Sequence, residues 1–254
     1  MFIPLHDAND LKHISLQYVT IGLIAANVLV FVFTGLSSQD QVAAAAFGLG
    51  YIPALLNDSA ELAPELVIVP EGWTYVTYSF LHGDIFHLGG NMLFLWVFGD
   101  NVEDALGHVR YLIFYVLCAA AGAFLHGLAA PDSQVPLIGA SGAVAGIVAA
   151  YLILHPRVKV WVLVLMRLPL RIPAFIPLVL WILFQFAMFA IGGEDEISWA
   201  AHIGGITAGA LLVLVMRRRG VPLFDRAIVT PDAVETVRPH AAVPVTGPPR
   251  WGRR

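Results

Sequence analysis

The chain has 254 residues, of which 58% are hydrophobic and only 13% charged, and its mean hydropathy is +0.77. Ordinary soluble domains carry roughly 25% charged residues, so the composition excludes a normally solvated surface and points to an integral membrane protein. The net charge is −4, no nucleic-acid partner is expected, and the single cysteine, Cys118, excludes both an intramolecular disulfide framework and a Cys-based zinc site.

Residues 1–17 read as a cytoplasmic N-terminal segment. No signal peptide is expected, because the first apolar run begins near Tyr18, is long enough to span, and lacks an A-x-A type cleavage site. A helix crossing the hydrocarbon core needs about 20 mostly apolar residues. Six segments meet that description: 18–36, 86–105 (apolar first, acidic at its far end), 110–130, 139–155, 173–191 and 198–216. The predicted fold is an all-α integral membrane protein, a bundle of six transmembrane helices over 18–216. The loop 37–85 has apolar patches too short to span and is expected to lie on the membrane surface or cap the bundle. The run 158–166 (VKVWVLVLM) is also too short, is β-branched, and is expected at the interface or against the bundle. The tail, 217–254, is polar and Pro-rich and is expected to be disordered.

Basic residues are retained on the cytoplasmic side. The loop 37–85 has no Lys or Arg but carries Asp40, Asp58, Glu61, Glu65, Glu71 and Asp84, and loops 131–138 and 192–197 also lack basic residues. Lys12, Arg110, Arg157, Lys159, Arg167, Arg171, Arg217 to Arg219 and five arginines of the tail fall elsewhere. Six spans with both termini cytoplasmic place every one of these on one side.

Polar side chains inside spans are costly and are functional candidates by default. Ser141 lies 16 residues before Arg157, and His202 lies 15 before Arg217. At about 1.5 Å per residue both sit about 22–24 Å above the cytoplasmic boundary, at one depth in the outer part of the core. A serine and an imidazole that can meet form a nucleophile–base pair. On the second span, His87 and Asn91 are four residues apart and share a face. Their N–H groups suit an acyl-transfer oxyanion.

Each residue also has a plainer reading. Gly142 and Gly146, and Gly205 and Gly209, form GxxxG packing faces around Ser141 and His202. His87 can anchor at the interface and Asn91 can bond a neighbouring helix, while His82, His126 and His155 read as loop, span-end and interface residues. The shared depth of Ser141 and His202 favours chemistry. The motif is not the soluble-hydrolase G-x-S-x-G, since Ala143 follows Gly142. Nor do His82 and His87 form the H-E-x-x-H of a zinc protease, though a weak di-His site with Asn91 stays open.

With "GASG" opening the fourth span, "AHIGG…AG" in the sixth, and "H…HLGGN" with "GDNVEDALG" in the second, the chain resembles the rhomboid family of intramembrane serine proteases over roughly residues 73–216. The resemblance implies a Ser–His dyad, with Ser141 as nucleophile and His202 as general base and then acid. It implies an oxyanion hole from His87, Asn91 and the backbone N–H of Ser141. Substrates would be single-span membrane proteins cut in or near the transmembrane helix, with no metal or cofactor, and the setting a bacterial inner membrane. Two departures stand out: Ala145 occupies the place of a tyrosine that stacks on the histidine in some members, and Trp73 is followed by Thr74 where some have Trp-Arg. Glu194, Asp195 and Glu196 precede the sixth span and could reach His202 only if their loop folded inward, so a dyad is expected rather than a triad. A catalytically silent, helix-binding scaffold of the same family is the alternative. A small transporter is disfavoured, since the spans show no internal repeat.

Overall fold

The computed structural model describes residues 2–164, 166–192 and 198–225. Helices form where the long apolar runs stand: α1 (Tyr18–Thr34), then short α2 (Gln39–Leu49), α3 (Pro53–Leu56) and α4 (Thr74–Thr77), and then α5 (Ile85–Leu106), α6 (His108–Ala129), α7 (Ser141–Leu154), α8 (Phe175–Ile191) and α9 (Trp199–Met216). By length and hydropathy alone, α6 and α9 are sufficient to cross a membrane, whereas α1, α7 and α8 are apolar but have 17, 14 and 17 residues. Large apolar side chains face outward on the peripheral helices, among them Phe33, Phe124, Leu128, Leu180 and Val215. A water-soluble monomer rarely shows so much contiguous apolar surface; a lipid-embedded one does.

The centre is α7, buried on every side from Gly142 to Tyr151, as expected for a helix apolar all round. It packs between α6 and α9, and glycines set the approach. A Cβ on Gly205 would collide with the carbonyl of Gly142, and one on Gly209 with the carbonyl of Gly146. The two GxxxG faces therefore meet each other, residue against residue. At the same seam, a Cβ on Gly146 would lie 2.5 Å from the sulfur of Cys118, so the lone cysteine is a packing residue of α6.

The acidic end of α5 organises the opposite end of the bundle. The first backbone N–H groups of any helix lack intrahelical partners, and α1 has no side-chain cap of its own. Glu103, fully buried, supplies it: its carboxylate accepts from the N–H of Val19 (3.0 Å) and of Thr20 (2.8 Å), from the Thr20 hydroxyl (2.7 Å), and meets His108 Nδ1 at 2.5 Å. Asp104 accepts from the N–H groups of Lys12, His13 and Ile14 at 2.6–3.0 Å.

The expectation of an all-α protein is corrected by a three-stranded antiparallel sheet. β1 (Phe2–Asp7) pairs with β2 (Lys159–Val164), which pairs with β3 (Leu168–Pro173), in the order β1-β2-β3. The short β-branched run buries Val160 and Val162 and exposes Lys159 and Trp161, a two-residue period that only a strand satisfies. Pro4 sits on the edge strand, where a missing N–H is tolerated. Within the segment expected before the first span, Phe2–Asp7 is thus bound into the fold as a strand. At the other end, Arg218 N–H bonds Ala105, and Phe224 and Asp225 bond Ile153 and Leu154, so the chain stays on the bundle past 216. The expectation of disorder for the rest of the tail falls outside the described residues. The 37–85 loop caps the bundle: Tyr51 pairs with Leu137 and its ring packs on Tyr75, Tyr78 and His126.

Candidate active site

Ser141 is the first residue of α7 and is half-buried; His202 lies in the first turns of α9 and is buried. The glycine contacts bring these two helix starts together. A Cβ on Gly142 would lie 3.3 Å from the carbonyl oxygen of Ala201, so the residues next to Ser141 and next to His202 touch through their backbones. Among the described residues no hydrogen bond joins the Ser141 hydroxyl to His202.

The segment before Ser141 carries the donors. Gly139 has φ +117°, and its N–H donates to the carbonyl of Tyr78 at 3.0 Å. A Cβ there would lie 2.6 Å from Nε2 of His87 and 3.8 Å from Nδ2 of Asn91. Glycine is required on both counts, for its backbone conformation and for the approach of the two side chains. His87 and Asn91 therefore share a face, as their four-residue spacing predicts, and that face meets the turn that leads into Ser141. The N-cap of their helix is Asp84, which accepts from the N–H groups of Phe86 and His87; these bonds hold its carboxyl below the usual range.

Three features of the site were not read from the sequence. First, His82 is not a plain loop residue. It is buried, its Nε2 lies 3.0 Å from Nδ2 of Asn91 and 3.5 Å from the N–H of Ala140, and its ring meets that of His87 edge-on at 5.0 Å. Burial, with His87 adding to it, pushes its pKa down to about 4, so the ring is neutral and can accept from the amide. Second, the rings that flank His202 come from tryptophans: Trp181 of α8 at 6.2 Å and 31°, and Trp199 at 5.9 Å and 87°. They occupy the neighbourhood that Ala145 leaves without an aromatic. Third, Nδ1 of His202 lies 2.7 Å from Oε1 of Gln185, a buried amide on α8. The signal was available: Gln185 is a polar residue inside an apolar span (WILFQFAMF). Glu194, Asp195 and Glu196 fall outside the described residues.

Asn91 and His82 are joined by a hydrogen bond, and the ring of His87 packs edge-on against that of His82. Chemically, the assembly offers a hydroxyl at a helix N-terminus, an imidazole across the seam, and two side-chain donors beside the intervening turn.

Residues 69–219, more than half of the chain, match the sequence model of the Rhomboid domain family. The chain is 29% identical over 168 residues to RHOMBOID-like protein 5 of Arabidopsis thaliana, covering 66% of this chain and 51% of that protein. It is 31% identical over 142 residues to the mitochondrial Rhomboid protein 1 of Saccharomyces cerevisiae, covering 52% and 38%. It is 28% identical over 183 residues to Rhomboid-related protein 3 of Homo sapiens, covering 69% and 44%. The chain thus spans about half the length, or less, of these relatives.

Proposed function

The chain belongs to the rhomboid family of membrane-embedded proteins, in general intramembrane serine proteases, and from that premise we propose that it is a serine endopeptidase that cuts membrane-anchored, single-span proteins in or near their transmembrane helix. The observation that carries this reading is the approach of His87 and Asn91 to the turn that leads into Ser141, together with the backbone contact of Ala201, the residue before His202, with Gly142 at the glycine seam of α7 and α9.

Ser141 Oγ attacks the scissile carbonyl carbon while its proton passes to His202, forming the C–O bond. The oxyanion that develops is stabilised by the side-chain N–H groups of His87 and Asn91 and the backbone N–H of Ser141. Collapse breaks the C–N bond, and His202 returns the proton to the leaving amine. Water then attacks the acyl ester with His202 again as base, which releases the carboxylate and restores Ser141. A dyad whose hydrogen bond is open without substrate is compatible with this chemistry, since such bonds tighten on binding.

In the same reading the six long helices are six spans, with both termini cytoplasmic in a bacterial inner membrane. The 14 residues of α7 rise only about 21 Å, less than the ~30 Å core. Ser141 then starts its helix below the outer surface, where water for deacylation arrives from outside. A substrate helix hides its carbonyls in its own hydrogen bonds, so Gly or Pro near the scissile bond favours cleavage.

The test is co-expression with a tagged single-span reporter. The wild type is expected to release the tagged domain and Ser141→Ala to leave it intact, and a fluorophosphonate probe is expected to label only the wild type. Equal fragment from both would sink the reading. Reporter bound but uncleaved, with no labelling, would instead identify a silent helix-binding member of the family.

A further inference from the structure

The amide of Gln185 is held at both ends. Its Nε2 donates to the carbonyl of Trp181, one turn back on α8, at 3.2 Å, and its Oε1 faces Nδ1 of His202 at 2.7 Å. The Trp181 carbonyl can only accept, so the nitrogen of the amide must point to it and the oxygen must point to the imidazole. An oxygen lone pair 2.7 Å from Nδ1 requires a proton on Nδ1. A neutral imidazole has one N–H, so Nε2 is left with its lone pair exposed. We infer that Gln185 is a positioning residue for His202: by holding Nδ1–H it keeps Nε2 free to take the proton of Ser141. The inference rests on the reading of His202 as the general base.

A packing role alone does not account for this side chain. Gln185 is 2% exposed, in a helix whose other residues are apolar, and a leucine would fill the space without the cost of burying an amide. The rings of Trp181 and Trp199 restrict the tilt of the imidazole but cannot choose between its two tautomers; only the amide does that. Gln185 acts as a neutral counterpart of the carboxylate that fixes the tautomer in serine-protease triads, and its oxygen also accepts from the imidazolium formed during acylation. The ionisable surroundings are sparse. His87 of α5 acts on His202 through space, His126 of α6 is tied to Ser198, and Cys118 of α6 lies against Gly146. No ionisable side chain lies on α8 or on α7 between Ser141 and Ala150.

The test uses the full chain in detergent, as wild type, Gln185→Leu and Gln185→Glu. Two-bond 15N–1H correlation spectra of histidine-labelled protein, with His202→Ala for assignment, are expected to show His202 as the Nδ1–H tautomer in the wild type and mixed tautomers in Gln185→Leu. Against the single-span reporter, Gln185→Leu is expected to lower kcat about 10–100-fold, the usual cost of losing an outer-shell partner, with KM unchanged. Gln185→Glu keeps an acceptor at that place and recovers most of kcat. Its carboxylate beside Nδ1–H favours the imidazolium and moves the acid limb of the kcat/KM profile to higher pH. Wild-type kcat and an unchanged pH profile in Gln185→Leu overturn the inference, as does an Nε2–H tautomer in the wild type. Equal loss in the Leu and Glu variants, in step with a fall in Tm, assigns Gln185 to packing and also overturns it. A wild type without Ser141-dependent cleavage or labelling refutes the protease reading instead, and the tautomer spectra still decide whether Gln185 fixes the ring.

Discussion

The two ends of α5 use polar side chains in opposite ways. At the C-terminal end, Glu103 and Asp104 are buried and saturated: three donors of α1 and His108 converge on one carboxylate, and three consecutive backbone N–H groups on the other. At the N-terminal end, Asn91 bonds only His82, and the half-buried imidazole of His87 has no hydrogen bond among the described residues. Acceptors that are fully matched by backbone donors hold elements together. Donors left over beside a hydroxyl at a helix start are free for a ligand's oxygen. One helix thus carries a structural clamp and a candidate chemical end, and the two are separable by mutation.

The largest expected effect is at the chemical end. Asn91→Ala should lower kcat about 10²–10³-fold, or about 2.7–4 kcal/mol, if it supplies an oxyanion donor. The loss of its bond to His82 should cost only about 1 kcal/mol of stability. Reporter cleavage beside thermal unfolding in detergent measures both. Activity that falls only as the folded fraction falls would erase the contrast between the two ends. The clamp should answer in reverse. Glu103→Ala strands the first donors of α1 and should cost about 3 kcal/mol of stability, while turnover per folded molecule stays at the wild-type value.

The seam between α7 and α9 should join the two responses. Gly205→Ala forces a Cβ onto the Gly142 carbonyl, and backbone cannot swing aside as a side chain can. Overpacking of this kind costs about 1–3 kcal/mol. Because the helices must part at the level of Ser141 and His202, kcat should fall together with Tm. A variant that loses stability but keeps kcat would show that the proposed dyad does not depend on this approach.

The sequence carried the seam and the candidate site unevenly. Ser141 and His202 stood out as candidates by their matching distance from the basic residues that end their spans, and the two GxxxG faces were legible because each depends on spacing within one helix. His87 and Asn91 were legible as a pair for the same reason. Gln185 was not: a lone amide in an apolar run shows that a partner exists but not which one, and its partner is on another helix. His82 failed alike, since nothing local distinguishes a loop histidine from one folded under Asn91. The acidic end of the second span was visible as charge, yet its role needed the N-terminus of α1 to arrive from 83 residues away. The sheet was missed because β1 lies in residues read only as a cytoplasmic N-terminal segment. Strand pairing between Phe2 and Val164 is a long-range fact that a two-residue period in a short run leaves open.

The last expected effect touches stability alone and only within a pH window, and it concerns the carboxylate that the clamp does not saturate. Asp7, at the end of β1 and 5% exposed, accepts from the Tyr151 hydroxyl at 2.7 Å, the one side-chain donor it meets among the described residues. Burial pushes its pKa up from 3.8 to about 7; the Tyr151 bond offsets part of this, and Asp100 and Asp10 add to it. The folded state therefore holds a proton that the unfolded chain has released, over the window from pH 3.8 to about 7. In that window the folded state binds more protons, so stability falls as pH rises and levels off above about pH 7. Asp7→Asn keeps an oxygen for Tyr151 and removes the charge. It should match the wild type below pH 3.8, exceed it modestly at pH 5 and most at pH 8, by about 3 °C in Tm for each kcal/mol of the penalty. Thermal unfolding in detergent at the two pH values measures the gap. A constant gap at both would mean that Asp7 is ionised in the fold throughout, held by donors as Asp104 is, and the contrast between saturated and unsaturated carboxylates would not extend to β1.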